Sequence, residues 1–280
     1  MSPGDLMEML NIEHLTKLFP LKKKLFSRDQ QYVHAVDDIS FKIEKGKILG
    51  LVGESGCGKT TTAKLLVRLL KPTSGKIYIG GEDIAGLKEE DLKKFRKNIQ
   101  MIFQDPYESL NPRLTIHSTI AEPLIAQGLY NLEKIHDALE VVGLKPPEGF
   151  LYRYPHELSG GQRQRVAIAR ALVIDPIFIV ADEPTSMLDV SIRAGVLNLM
   201  LALRKSFDLT VLFVTHDLAV ARYMCDDIAV MHNGKIVEIG NAEEVIRNPK
   251  HSYTKALLSA VPIPDPRAKR ERIKIREEVV

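Results

Sequence analysis

The sequence predicts an α/β fold in which buried strands deliver polar residues at their ends, and three observations predict it. Short continuous apolar runs, Ile48–Val52, Ile177–Ala181 and Val211–Val214, each stop at polar or glycine-rich sequence, the pattern of strands covered on both faces. A helix-period stretch, Thr62–Leu70, follows the first run and is stopped by Lys71-Pro72. From Tyr107 to Leu172 the spacing turns helical, which reads as an inserted helical subdomain.

The first strand-to-helix junction carries Gly53-Glu54-Ser55-Gly56-Cys57-Gly58-Lys59-Thr60-Thr61, which fits the phosphate-loop pattern G-x-x-x-x-G-K-[ST]. Gly53, Gly56 and Gly58 let the backbone curl so that N–H groups point inward, and the following helix adds its positive end. Lys59 supplies a point charge toward β- and γ-phosphates, and the Thr60 hydroxyl is the expected Mg²⁺ ligand. A nucleoside triphosphate is the partner this junction indicates.

At 280 residues the chain holds one large or two small domains with a full core. Its 39 Lys+Arg against 36 Asp+Glu give a net charge of +3, so no global field argues for nucleic acid. The basic run Lys22-Lys23-Lys24 and the tail from Arg267 to Arg276 read as solvated faces or neighbours of anionic lipid. Two cysteines, Cys57 and Cys225, allow neither a disulfide framework nor a Cys-rich metal site, which suits a reducing cytoplasm. No apolar run approaches the roughly 18 residues needed to span a bilayer, and Met1 to Asn11 lacks a signal-peptide layout. A membrane role is therefore one borrowed from another chain.

In order along the chain, Leu10, Ile12 and Leu15 alternate with one slip and predict a short strand ending near Phe19. Leu21 to Tyr32 reads as a loop. Ile39, Phe41 and Ile43 form one face of a second strand. Phe19 and Tyr32 are both placed to stack on a base, or simply to pack. Gly75–Ile79 predicts an antiparallel strand, Lys88–Asn98 a charged helix, and Ile99–Pro106 a strand presenting Gln104 at its end. Leu132, Ile135, Leu139 and Val142 recur at helix spacing before Pro146-Pro147 breaks the run. Leu158-Ser159-Gly160-Gly161-Gln162-Arg163-Gln164 leads into a helix over Val166–Val173, a second helix start with small residues and free N–H groups for an anion. The buried run ending in Asp182-Glu183 places two carboxylates where isolated charge is costly. Asp182 suits holding Mg²⁺ through one of its bound waters, and Glu183 suits polarising an attacking water. After Ser186–Asp189 comes a helix to about Leu203. His216 then stands at the end of the next buried strand, where open α/β sheets place ligands. Asn233-Gly234 predicts a hairpin between Ile228–Met231 and Lys235–Glu238. Asn241 with Glu244 reads as a capping-box variant, and Pro262–Pro266 begins an extended appendage.

The loop, Gln104, Leu158-Ser159-Gly160-Gly161-Gln162, Asp182-Glu183 and His216, in that order, resemble the ATP-binding subunit of an ABC transporter over nearly all of residues 8–265. The resemblance implies a P-loop ATPase with a RecA-like core, an N-terminal antiparallel β subdomain and a helical subdomain over about 105–175, within an ATPase domain at 8–250. It further implies ATP and Mg²⁺ as cofactors, and a head-to-tail dimer in which Ser159-Gly160-Gly161-Gln162 of one subunit closes over ATP held by the other. Phe19 would stack on adenine. Gln104 would link the Mg²⁺ and water site to the transmembrane partner, and Asp189 would couple the two sites. Phe103–Arg113, Tyr154–Gln162 and His251–Pro262 look like the dipeptide/oligopeptide importer branch, with 251–280 as its C-terminal tail.

Three departures stand out. Ser252 replaces the usual proline, Met187 the usual alanine, and the extra C-terminal cysteines that hold an iron–sulfur cluster in some members are missing, so none is expected. The implied partners are transmembrane permease subunits, a second ATPase subunit, either a sister chain or a copy, and, indirectly, an external solute-binding protein. The implied location is the cytoplasmic face of the cell membrane. Competing expectations are an oligosaccharide or nickel importer of the same subfamily, and a soluble ABC ATPase clamping DNA or ribosomes, which usually needs a long coiled coil or a second cassette.

Overall fold

The computed structural model describes residues 8–21 and 30–260. The basic run Lys22–Lys24, the segment from Pro262 and the charged tail lie outside the described residues. In chain order the elements are β1 (Glu8–Pro20), β2 (Tyr32–Glu44), β3 (Ile48–Val52), α1 (Lys59–Leu66), β4 (Ser74–Ile79), β5 (Glu82–Asp83), α2 (Glu89–Arg96), β6 (Ile99–Ile102) and α3 (Pro106–Ser109). They continue as α4 (Ile116–Ala126), α5 (Leu132–Val141), α6 (Glu148–Leu151), α7 (Gly160–Leu172), β7 (Phe178–Asp182), α8 (Val190–Phe207) and β8 (Thr210–Thr215). The last are α9 (Leu218–Met224), β9 (Asp227–His232), β10 (Lys235–Asn241), α10 (Ala242–Arg247) and α11 (Ser252–Ala260). The chain divides into two compact units, one running to Gly86 and resuming at Phe213, the other spanning Leu87–Leu212.

In the first unit an antiparallel sheet has the order β2-β1-β4-β5. Leu10, Ile12, Leu15, Ile39, Phe41, Ile43, Ile77 and Ile79 are buried. The slip in the apolar alternation of β1 is a register shift between Ile12 and Leu15 against β2, an irregularity that lets a strand keep burying its apolar side chains across an extra residue. Both β1 and β2 run to 13 residues, well beyond the apolar positions, because each extends as a paired ribbon ending at Pro20↔Tyr32. A second group of strands in this unit places β9 between β3, parallel to it, and β10, antiparallel. The β9–β10 connection is the expected Asn233-Gly234 turn, with both residues at positive φ, 47° and 79°, as a tight primed turn requires.

Two local expectations in this unit are corrected. The helix after the glycine loop starts at Lys59 and stops at Leu66 rather than running to Leu70. Arg68 takes a left-handed conformation (φ 54°) and its Nε donates to the Ile84 carbonyl at 2.8 Å, so the chain turns before the proline is reached. Asn241 caps α10, but its side chain accepts from the Glu243 N–H and no box forms with Glu244. Glu243 itself pairs with Arg222 and Arg247.

In the second unit β6 and β7 pair in parallel, Ile99 opposite Phe178 and Ile102 opposite Ala181, and the helices α2 to α8 make up the rest. α4 and α5 both pack on α7, whose Val166, Ala167, Ile168, Ala169, Ala171 and Leu172 are buried. Side-chain caps start four of the helices: Asp105 for α3, Thr115 for α4, Asn131 for α5 and Ser159 for α7. Each offers an oxygen to an N–H that the helix itself leaves without a partner. α7 begins at Gly160, six residues ahead of the expected Val166, because Ser159 and Gln162 form a reciprocal capping box. β6 ends at Ile102, since Asp105 already caps α3.

Candidate nucleotide site

The glycine loop in the first unit is pinned from three directions. A Cβ placed on Gly53 would stand 2.2 Å from the Met231 carbonyl oxygen of β9, and one on Gly58 2.3 Å from the Ala35 carbonyl oxygen of β2. Only glycine admits these approaches. The Gly234 N–H donates to the Cys57 carbonyl at 2.9 Å, while the Gly234 carbonyl accepts from the Asp37 N–H, also at 2.9 Å. The hairpin turn therefore bridges loop and β2. On the third side the Glu54 N–H donates to the phenol oxygen of Tyr253 at 3.1 Å, and that ring lies 3.9 Å from the His232 ring.

Gly58 caps α1 in a left-handed conformation with no side-chain bond to the helix, so the first turn, with Thr60 and Thr61, offers N–H groups and the positive helix end to an anion. Lys59 is only 4% exposed, and its Nζ donates to the Gly53 and Glu54 carbonyls at 2.8 and 2.7 Å. Ser55 and Gly56 form the exposed tip. The Cys57 thiol is buried, and that burial raises its pKa despite the opposing charge of Lys59, which keeps it protonated and unreactive. Phe19 is 37% exposed near the end of β1, with Lys17 Nζ 5.1 Å from its ring centre. His216 follows β8 directly and is exposed, and Asp217 after it caps α9.

The second unit gathers the acids. Asp182, the last residue of β7, is 3% exposed. Glu183 follows with a positive φ of 44°, uncommon for a residue with a side chain. Its carboxylate accepts from Gln104 Nε2 at 3.2 Å, and its carbonyl from the Ser186 hydroxyl at 3.0 Å. Ser159-Gly160-Gly161-Gln162 forms the start of α7. Ser159 Oγ accepts the Gln162 N–H at 3.3 Å, and Gln162 Oε1 accepts the Ser159 N–H at 3.0 Å. A Cβ on Gly161 would meet Ile192 Cγ2 at 2.5 Å. Arg163, next in line, lies with its guanidinium 4.0 Å over the Tyr107 ring and donates to the Pro155 and His156 carbonyls. Asp189 precedes α8, exposed, with no side-chain bond to the helix.

Thus the structure brings together Gln104 with Glu183, Ser159 with Gln162, and Lys59 with its own loop. The expected cation donors, the Thr60 hydroxyl, the Gln104 amide and the Asp182 carboxylate, are all hard oxygen groups. Among the described residues no cluster of three or more His, Cys, Asp or Glu side chains forms a ready-made metal cage. Such groups are of the kind that suits Mg²⁺, which is held through one or two carboxylates and completes its shell with phosphate and water. Sequence reasoning missed Tyr253, Gly234 and Met231 as supports of the loop. Only the Asn-Gly pair left a local signal, and the other two contacts arise from residues over 170 positions away.

The family model described as ABC transporter matches residues 36–186, and the one described as oligopeptide/dipeptide transporter, C-terminal region, matches 237–280. The chain is 50% identical over 278 residues to the oligopeptide transport ATP-binding protein AppF of Bacillus subtilis, covering 97% of this chain and 84% of that protein. It is 48% identical over 275 residues to the dipeptide transport ATP-binding protein DppF of Haemophilus influenzae, covering 97% and 83%. Among solved structures, the ATP-binding cassette MJ0796 in a dimeric post-hydrolysis state bound to ADP and Pi matches with a TM-score of 0.72 and 30% identity, over 84% of this chain and 99% of that one. CbiO1 of Clostridium perfringens, part of a cbiONQ transporter complex, matches with a TM-score of 0.71 and 27% identity, over 85% and 90%. A glycine loop held on three sides that fits the phosphate-loop pattern, a capped Ser-Gly-Gly-Gln helix start and a glutamine-bound glutamate on one chain accord with these matches, and the chain belongs to the ABC transporter family of ATP-binding subunits.

Proposed function

We propose that this chain binds and hydrolyses ATP to power an importer of di- and oligopeptides. The observation that carries the reading is the joint occurrence, on one chain, of the ABC region at 36–186 and the peptide-transporter C-terminal region at 237–280. Lys59 and the loop N–H groups bind the phosphates, exchanging the loop carbonyls that Lys59 now holds for phosphate oxygens. Thr60, Asp182 and Gln104 would hold Mg²⁺, which would supply neutralisation of the phosphate charge. Glu183 takes a proton from the attacking water, oriented by Gln104, and His216 contacts the γ-phosphate. Phe19 stacks on the adenine.

The start of α7, Ser159 to Gln162, presents its N–H groups to ATP held by the partner subunit, and Asp189 couples the two sites, so the working unit is a head-to-tail dimer. Among the described residues no helix is long and apolar enough to cross a membrane. By likeness to transport ATP-binding relatives we assign the chain a peripheral position at the cytoplasmic face, against permease subunits served by an external solute-binding protein.

Two measurements test this. ATPase activity of the purified chain across a protein-concentration series, with Glu183→Gln run for ATP-dependent dimerisation, is expected to rise more than linearly and to yield dimer in the variant. Linear activity from a monomer would overturn the shared-site reading. Coexpressed with its permease in vesicles, the chain is expected to hydrolyse ATP faster when a peptide-loaded binding protein is added, and stimulation by an oligosaccharide alone would overturn peptide as the solute.

A further inference from the structure

We propose that Tyr253 is a positioning residue for the phosphate loop, and that α11, which lies within the C-terminal region, acts as a strut setting the loop's affinity for nucleotide. The contact joins residues 199 positions apart, the Glu54 N–H donating to the Tyr253 phenol oxygen at 3.1 Å. That N–H shares its peptide plane with the Gly53 carbonyl, which accepts Lys59 Nζ at 2.8 Å. One rigid peptide unit is therefore held at its donor end by Tyr253 and at its acceptor end by Lys59. Rotating it would displace the carbonyl that positions the phosphate-binding lysine.

The phenol is itself fixed. Tyr253 is 2% exposed, lies against the His232 ring at 3.9 Å, and donates its own N–H to His251 Nδ1 at 3.1 Å. The start of α11 is tied down by Glu238, whose carboxylate accepts the Lys250 and His251 N–H groups at 2.8 and 3.0 Å. Burial raises the pKa of the phenol, so the oxygen stays neutral and accepts the amide without adding charge beside the phosphates. A purely packing role would need the ring and not the oxygen.

Tyr253→Phe separates the two roles, since it keeps the ring and removes only the acceptor. The inference rests on the glycine loop being the nucleotide site, so Lys59→Ala is measured alongside. The expected result is a KM and a Kd for ATP about three- to tenfold higher in Tyr253→Phe, from loss of one neutral hydrogen bond, with kcat within about twofold and a melting temperature lowered by no more than about 4 °C. Hydrogen exchange at the Glu54 amide, followed without nucleotide, is expected to quicken. Parental ATP affinity in Tyr253→Phe while Lys59→Ala loses it would overturn the role of Tyr253 alone. Parental affinity in both variants would overturn the site reading and the inference together. A lower kcat at unchanged KM, or unchanged exchange at Glu54, would also overturn it.

Discussion

Gln104 Nε2 donates to Glu183 Oε2 at 3.2 Å. It joins the turn after β6 to the residue after β7, two parallel strands whose register sets Ile102 beside Ala181. Glu183 reaches this position through a left-handed backbone, φ 44°, a conformation that costs about 1–3 kcal/mol and persists where surrounding structure fixes it. The Ser186 hydroxyl and N–H on the Glu183 carbonyl, at 3.0 and 3.1 Å, are part of that fixing.

The two residues are expected to fail differently. Glu183→Gln removes a proton acceptor, and turnover at saturating ATP should fall roughly 10²- to 10⁴-fold with ATP binding retained. Gln104→Ala leaves the base in place and removes its hydrogen bond to Glu183 together with one uncharged Mg²⁺ donor that water can replace, so the loss should be smaller, about two- to tenfold. Equal losses in the two variants would contradict the division of roles between base and orienting amide.

The three loop glycines are not equivalent. Gly56 has φ 83° but open space around it, whereas a Cβ on Gly53 or Gly58 would collide with backbone carbonyls at 2.2 and 2.3 Å. Gly56→Ala should thus cost only the left-handed strain, about 1–2 kcal/mol, and retain ATP binding. Gly53→Ala and Gly58→Ala should lose it, because β2 or β9 must move. Calorimetric ATP titration of the three variants checks this ranking, and loss of binding in Gly56→Ala alone would refute it.

Much of this was legible in the sequence because the signals are local. The spacing of Gly53, Gly58 and Lys59, the Asn233-Gly234 turn and the apolar runs of β3, β7 and β8 each act within a few residues, so their chemistry survives being read in one dimension. What was misread involved competition among neighbours. The helix after the loop ends where Arg68 finds the Ile84 carbonyl, a partner that the uninterrupted apolar pattern to Leu70 does not announce. The early start of α7 was in principle readable, since Ser159 and Gln162 stand at capping-box spacing. Tyr253 was not: nothing near it in sequence points to Glu54.

Gly161 faces Ile192, with Cγ2 only 2.5 Å from where a Cβ would sit. Alanine gains up to about 1 kcal/mol of helix propensity, but the overpacking costs about 1–3 kcal/mol, so Gly161→Ala should lower the melting temperature. Adding Ile192→Ala removes the colliding methyl. The double variant should then show a favourable coupling between the two changes, of the kind that contacting residues display. Strict additivity would mean that the contact carries no energy.

Glu238 makes the docking of α11 sensitive to acid. Its burial by itself would raise the carboxyl pKa, but the nearby Thr254 hydroxyl and the Lys250 and His251 N–H groups outweigh that and hold it below the ordinary value of 4.5. A carboxyl depressed on folding contributes stability that is fully present above its unfolded pKa and is lost as pH falls through its folded one. At neutral pH the helix start is therefore held by charge-assisted hydrogen bonds, and titration from pH 6 toward pH 3 should weaken them only below about 4.5. Glu238→Gln should lower the melting temperature at pH 7 and bring it nearer to the parent's as pH drops, because the parent loses the same charge. Thermal melts of both proteins across that range provide the check. A constant gap between them at every pH would show that the carboxylate charge contributes nothing to seating α11.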